Sequence, residues 1–196
     1  MAENVAHFMR RDWGWFSTSP GEVLAHRSGG VSEVQLAWVD RKGERLGTVG
    51  EPRPYNQIAL SPDERRVAAE IRGEDGIDLW AIDVARGVAS RVTSEPGAEM
   101  DPVWSPDGQK FAYGSADERG YGLFLKGLSG EAASPMPGAS GAKGESRPIP
   151  ESWSSDGSTL IYKTVNGTTV WALPLVGGGD PEPVLELGFR VDETQI

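Results

Sequence analysis

Residues able to do chemistry are sparse in this chain. Its 196 residues include two imidazoles, His7 and His26, and no cysteine. A zinc site or a general base needs partners at defined spacing, and neither histidine has one along the sequence. His26 ends an alternating run, which places it on an inner surface if it serves a ligand. Without cysteine there is no disulfide framework and no thiolate chemistry. No Gly-x-Ser-x-Gly elbow is present. The stretch PGASGAKGES from Pro137 has the glycines of a phosphate loop, but Lys143 precedes Gly144 instead of following it, and no strand-to-helix pattern surrounds it. It reads as a flexible connection, and VGGGD from Val176 as a corner. Asn166-Gly167-Thr168 fits a glycosylation acceptor, yet Asn-Gly is equally a hairpin corner. No catalytic residue is assigned.

The bulk properties narrow the partners. With 29 acidic and 19 basic residues the net charge is −10, so nucleic acid and anionic membrane, which need clustered cations, are excluded as partners. The basic pairs Arg10-Arg11, Arg41-Lys42 and Arg65-Arg66 are scattered and read as solvated surface. No apolar run approaches bilayer length, so no membrane insertion is expected. Met1 to Trp15 lacks the apolar stretch of a signal peptide. The 26 Gly, 14 Pro and 7 Trp point to many short strands joined by tight corners.

Those strands recur. The pattern appears as FSTSPGEVLAH from Phe16, LSPDERRVAAE from Leu60, WSPDGQKFAYG from Trp104 and WSSDGSTLIYK from Trp153. Ser17, Ser61, Ser105 and Ser154 mark equivalent positions, separated by 61−17 = 44, 105−61 = 44 and 154−105 = 49 residues. Each marker is followed by a β-branched and aromatic run, around Trp38, Trp80, Phe124 and Trp171. A Gly-containing corner comes next, then an outer strand: RLGTV, SRVT and EPVLEL in the first, second and fourth copies. In the third copy ASPMPG from Ala133 makes a poor strand. About four strands in roughly 44 residues is one propeller blade. The chain is therefore expected to be all-β, a partial β-propeller of about four four-stranded antiparallel blades. The repeats fall at about 16–59, 60–103, 104–152 and 153–196, in one domain over 1–196, and 1–15 is expected to be the outer strand of a preceding blade. Asp63, Asp107 and Asp156 are expected to cap their own turns.

The order S-P-D-x-x-x-V-A, D-L-W-A-I-D, R-V-T and D-P-V-W-S-P-D-G from Asp101 resembles the WD-like repeats of TolB-type propellers, most closely the sensor regions that follow bacterial Ser/Thr kinase domains. The likeness runs from about Phe16 to Leu187. Glu64 stands where the turn glycine belongs, Ser155 replaces the turn proline, Gly127 replaces the Asp83-type residue, and Trp38 is offset by one position relative to Trp80, so that it should face the other side of its strand. TolB-type propellers usually have six blades. The resemblance thus implies a chain cut from a longer propeller, whose open faces invite self-association, and an extracytoplasmic bacterial setting. A closed four-bladed ring is the alternative.

In a propeller the connections between blades, and those between second and third strands, gather at one channel mouth. Here these are PRPYNQ, EMDP and ESRPIPE, with RGEDG, ADERGY and VNG. They place Tyr55, Asn56, Glu99, Asp101, Glu118, Arg119, Tyr121, Glu145 and Arg147 on one rim as the expected ligand-binding residues. Two functions suit such a rim. The first is a non-catalytic sensor or scaffold that binds a protein, a peptide or a small molecule at the channel mouth. The second is a metal-dependent hydrolase of lactones or phosphoesters, in which Asn56, Glu99, Asp101 and Glu145 would hold a divalent cation such as calcium. A part of a larger receptor with no separate function is a third.

Overall fold

The computed structural model describes residues 16–18, 24–28, 34–74, 76–117, 120–142, 146–165 and 167–186. Among them are sixteen strands and no helix. The segment expected to be an outer strand of a preceding blade, 1–15, lies outside the described residues. The architecture is a partial β-propeller of four four-stranded antiparallel blades.

The chain divides into two compact units, Met1–Glu95 and Pro96–Ile196. In the first unit, β1 (Phe16–Thr18), β2 (Leu24–Ser28), β3 (Val34–Val39) and β4 (Arg45–Arg53) pair in order as one blade. A second blade follows from β5 (Tyr55–Leu60), β6 (Arg66–Arg72), β7 (Ile77–Asp83) and β8 (Ala89–Arg91). The second unit repeats the plan with β9 (Ala98–Trp104), β10 (Lys110–Asp117), β11 (Gly120–Gly127) and β12 (Ser134–Ala142). Its other blade is β13 (Pro148–Trp153), β14 (Thr159–Thr164), β15 (Thr169–Pro174) and β16 (Glu182–Glu186).

Two expectations change. PRPYNQ runs from the end of β4 into β5, and EMDP and most of ESRPIPE lie within β9 and β13, so frames opening at residues 60, 104 and 153 cut each of these blades at the last residue of its first strand. Proline hid them. Pro148 and Pro150 have no amide hydrogen, but β13 ends its sheet, where one strand edge needs no donor. Likewise ASPMPG is a strand: β12 runs through Pro135 and Pro137 to Ala142, taking in most of the glycine-rich stretch that reads as a flexible connection. It pairs on one side only, with β11, and buries Met136 and Ala139.

Period-2 alternation builds the cores. In β6, Val67, Ala69 and Ile71 point into a cluster with Val34, Leu36, Val49, Tyr55, Ile58 and Ile82, while Ala68 and Glu70 point the other way. Leu36 and Trp38, two residues apart, share a face; Leu79 and Trp80, adjacent, point to opposite faces. Trp38 and Trp80 both pack against that one cluster, Trp38 from the first blade and Trp80 from the second. The single-residue offset thus puts the two indoles on opposite faces of their respective blades. In the second unit Ala112, Leu123, Met136, Ala139, Leu160, Tyr162 and Leu173 make the corresponding core. On the opposite face of β9, β10 and β11 runs an aromatic row: Trp104 meets Phe111 edge-on at 5.4 Å, Phe111 meets Tyr113 at 6.2 Å, and Tyr113 stacks on Phe124 at 5.8 Å.

The marker serines build the same corner three times. Ser61 Oγ donates to Asp63 Oδ1 at 2.6 Å and accepts from the Arg66 amide at 2.9 Å. Ser105 with Asp107 and Ser154 with Asp156 repeat the bond at 2.6 Å. Each aspartate also accepts an amide two residues on, from Arg65, Gln109 or Ser158. The turn-capping role expected of the three aspartates is what the structure shows. The hydroxyl bonds hold all three carboxyls below the usual range, Asp156 at about 2.

Candidate functional site

Three of the four first strands, β5, β9 and β13, carry a β-bulge, whereas β1 pairs with β2 in unbroken register. In β5 the register steps from Tyr55 opposite Ile71 to Ile58 opposite Ala69, so Asn56 and Gln57 share one partner position. In β9 it steps from Met100 opposite Gly114 to Val103 opposite Ala112, and the extra pair is Asp101 and Pro102. In β13 the break between Pro150 and Ser152 leaves Glu151 out of register. A bulge bends its strand and re-aims a side chain, and here the displaced residues include a polar one each time.

These polar groups are held by partners. Asn56 Nδ2 donates to Glu70 Oε2 at 2.8 Å, and Glu70 is buried at 1% exposure in the middle of β6. The Arg147 guanidinium, just before β13, forms an ion pair with Asp101 in which the carboxylate side chain is 5% exposed and the arginine 19%. Glu151 pairs with Lys163 of β14 at 2.7 Å. Asp101 is a non-glycine residue at φ 58. Backbone in that region costs about 1–2 kcal/mol for a residue with a Cβ, a cost that persists only where the surroundings fix it. The fixing is visible nearby: a Cβ on Gly114 would lie 3.0 Å from the Pro148 carbonyl oxygen and 3.3 Å from Arg147 Nη1. Gly114 therefore lets the chain entering β13 come close enough to seat Arg147 on Asp101.

The nine expected rim residues separate. Asn56, Asp101 and Arg147 occupy the bulges or their ion pair. Tyr55 sits in the first unit's core at 1% exposure, its hydroxyl donating to the Glu51 carbonyl at 2.8 Å. Burial pushes that phenol's pKa up. Tyr55 is thus a packing residue, because the segment read as a loop is a strand and alternation turns its ring inward. Glu99 is also buried, at 1% exposure, opposite Ser115 in the β9–β10 ladder. Tyr121 is half-buried on β11 opposite Ala116 and Gly141. Glu118, Arg119 and Glu145 lie outside the described residues, as do His7 and Asn166.

The structure adds Glu70, Glu151 and Lys163. A carboxylate in the middle of the otherwise apolar run RVAAEIR was the available signal for Glu70. Nothing in the sequence pairs Glu151 with Lys163 before the β13–β14 register is known. Among the described residues no three His, Asp or Glu side chains gather where they could hold a metal ion. The carboxylate of Asp101 is engaged by Arg147 and Asn56 Nδ2 by Glu70, while Glu145, the remaining oxygen ligand named with Glu99 for a cation, lies outside the described residues.

No protein-family model matches the chain, and no curated protein does. Solved structures do. TolB from Acinetobacter baumannii superposes with a TM-score of 0.68 at 18% identity, over 86% of this chain and 42% of TolB. Hydrazine synthase from Kuenenia stuttgartiensis gives 0.63 at 15% identity, over 82% of this chain and 52% of that one. A prolyl endopeptidase gives 0.62 at 16% identity, over 88% and 30%. The chain is thus similar in fold to TolB-like β-propellers and spans about half or less of their length. At these identities the likeness is one of fold alone, and the three proteins differ in what they do.

Proposed function

We propose that the chain is a non-catalytic binding module, a sensor or scaffold that takes a protein or peptide segment against the first strands of its blades. The observation that carries this reading is the repeated bulge, which in each unit presents polar side chains already held by a partner: Asn56 by Glu70 in the first, Asp101 by Arg147 in the second. Side chains fixed before a ligand arrives lose little entropy on binding. They are also poorly placed to act as a nucleophile with its base, since the described residues offer no such pair. Tyr121, with Glu118, Arg119 and Glu145, would extend the binding surface. The similarity to TolB favours an extracytoplasmic setting, and a kinase-linked sensor region is one form such a module takes. Self-association belongs to the same proposal: on the outer strand β16, Val184 and Leu185 are more than half exposed.

Peptides selected by phage display on the immobilised full chain provide the test. Binding is expected to fall at least tenfold in Asn56→Ala and in Arg147→Lys, with the melting curve of each variant kept as a control. Selected peptides that bind both variants as tightly as the wild type would remove the first strands from the reading.

A further inference from the structure

The third-strand tryptophans mark a pocket that occurs twice and is finished differently in the two units. Trp80 stands opposite Ala69, and Trp171 opposite Tyr162, and Ala69 and Tyr162 each lie eight residues beyond their marker serine. Beside Trp80 the space is small and ionic. The Arg53 guanidinium lies 5.2 Å from the indole centroid, and Asp78 pairs with Arg91 at 2.7 Å. What remains is about 130 Å³, bordered also by Glu74. Beside Trp171 the corresponding space is an open cleft of about 550 Å³, and among the described residues that line it none is charged. Thr169 begins β15 much as Asp78 lies near the start of β7. Thr164 and Thr168 supply further hydroxyls, and Gly138 at φ 80 lines the wall with no side chain to fill it.

The floor of this cleft is a tyrosine whose ring belongs to the core. Tyr162 is 6% exposed and packs with Leu160, Leu123 and Leu173, yet its hydroxyl has no hydrogen-bond partner among the described residues, and burial raises its pKa. The Trp171 indole N–H is likewise unengaged among the described residues, whereas Trp153 Nε1 donates to the Val103 carbonyl at 3.1 Å. The cleft therefore presents an aromatic wall, one indole donor and four hydroxyls, each able both to donate and to accept. Among the described lining residues an anion would find no cation, and a cation no carboxylate. An uninterrupted run of prolines presents only carbonyl acceptors, which leaves the accepting capacity of four hydroxyls unused.

We infer that the cleft between Tyr162 and Trp171 is a binding site for a neutral saccharide, which stacks a C–H face on the indole and meets the Tyr162 and threonine hydroxyls with its own. The site is separate from the bulged first strands and does not depend on the function proposed for them.

A neutral-glycan array probed with the full chain, followed by nitrogen–proton spectra of the tryptophan indoles with the best array hit, provides the test. The expected result is binding of neutral glycans with a shift of the Trp171 indole signal, assigned by its loss in Trp171→Phe. Tyr162→Phe keeps the core ring and removes only the hydroxyl. It is expected to bind about three- to tenfold more weakly, the range for one neutral hydrogen bond, with an unchanged melting curve. No neutral glycan bound, binding of acidic glycans alone, or binding unaffected in Tyr162→Phe would each overturn the inference. A shift of the same indole signal by decaproline but by no glycan would assign the cleft to a peptide instead. Display-selected peptides should bind Tyr162→Phe normally, so failure here and failure of the first-strand reading are distinguishable.

Discussion

Among the described residues two that are not glycine hold backbone that favours glycine, and they do so for different reasons. Glu64, at φ 60, occupies the corner position that Gly108 and Gly157 fill at φ 65 and 72 in the later blades. Its carboxylate is half-exposed, and nothing in the structure compensates it for that conformation. Glu64→Gly is expected to stabilise the chain by about 0.5–1 kcal/mol, the left-handed penalty less the entropy glycine loses on folding. A rise in melting temperature would show it, and a fall would mean that the Glu64 side chain is contributing unseen. Asp101, at φ 58, is held by Arg147. Arg147→Ala removes the ionic partner of a buried carboxylate and is expected to cost about 3–5 kcal/mol. Asp101→Asn combined with Arg147→Leu should cost well under the sum of the single changes, because the double variant leaves no charge behind. Denaturant melts of the four proteins measure the difference. The departure at Glu64 is legible in the sequence, because three copies of one corner can be aligned. The one at Asp101 is not: its conformation comes from a bulge, and bulges have no composition.

Among the elements, the Ser-Asp corner is the recurring unit, and it predicts a pH dependence. The folded pKa values of Asp63, Asp107 and Asp156 lie below their unfolded values. Their contribution to stability is therefore fully present above the unfolded carboxyl range, near pH 4, and is lost as pH falls through the folded values, about 2 for Asp156. Acid titration followed by circular dichroism should show stability falling over that interval. Asp156→Asn should shrink the loss while costing something at pH 7, and a slope identical to wild type would deny the corner this role. The corner between third and fourth strands varies more. Asp40 accepts the amides of Lys42 and Glu44 at 2.8 Å, and Asp83 accepts the Arg86 amide at 2.9 Å. In the third blade, Gly127 stands in the aspartate's place and Ser129 donates to Glu131 at 2.6 Å instead. Trp153 ties β13 to β9 through its indole, and Trp153→Phe is expected to cost at least about 0.5–1.5 kcal/mol, the hydrogen bond, with the packing lost as phenyl replaces indole added to it. A melt unchanged within error would show that water replaces the bond.

For the whole molecule, blade count and blade content were written in the sequence. Spacing of 44 residues, serine markers and aromatic third strands are local or periodic signals, and each is enforced by backbone geometry that does not depend on the rest of the fold. Self-association is argued at this scale, from the exposed apolar pair on β16. Light scattering at micromolar concentration is expected to give a mass above that of one chain, and Leu185→Lys to lower it; a strictly monomeric wild type would end the idea. What the sequence could not decide was which candidate residues meet. Tyr55 and Glu99 were on the list with Asn56 and Asp101 because all four precede a marker serine, yet alternation along a strand buries some and turns others towards partners, and a single bulge reverses which. The pairing of Asp101 with Arg147 spans 46 residues and exists only because β9 and β13 lie side by side and Gly114 leaves room for their approach. The open cleft at Trp171 has the same origin. One repeat position receives Arg53 in the first unit and only Gly138 and threonines in the second, and the difference becomes a cavity only when the neighbouring blade is in place.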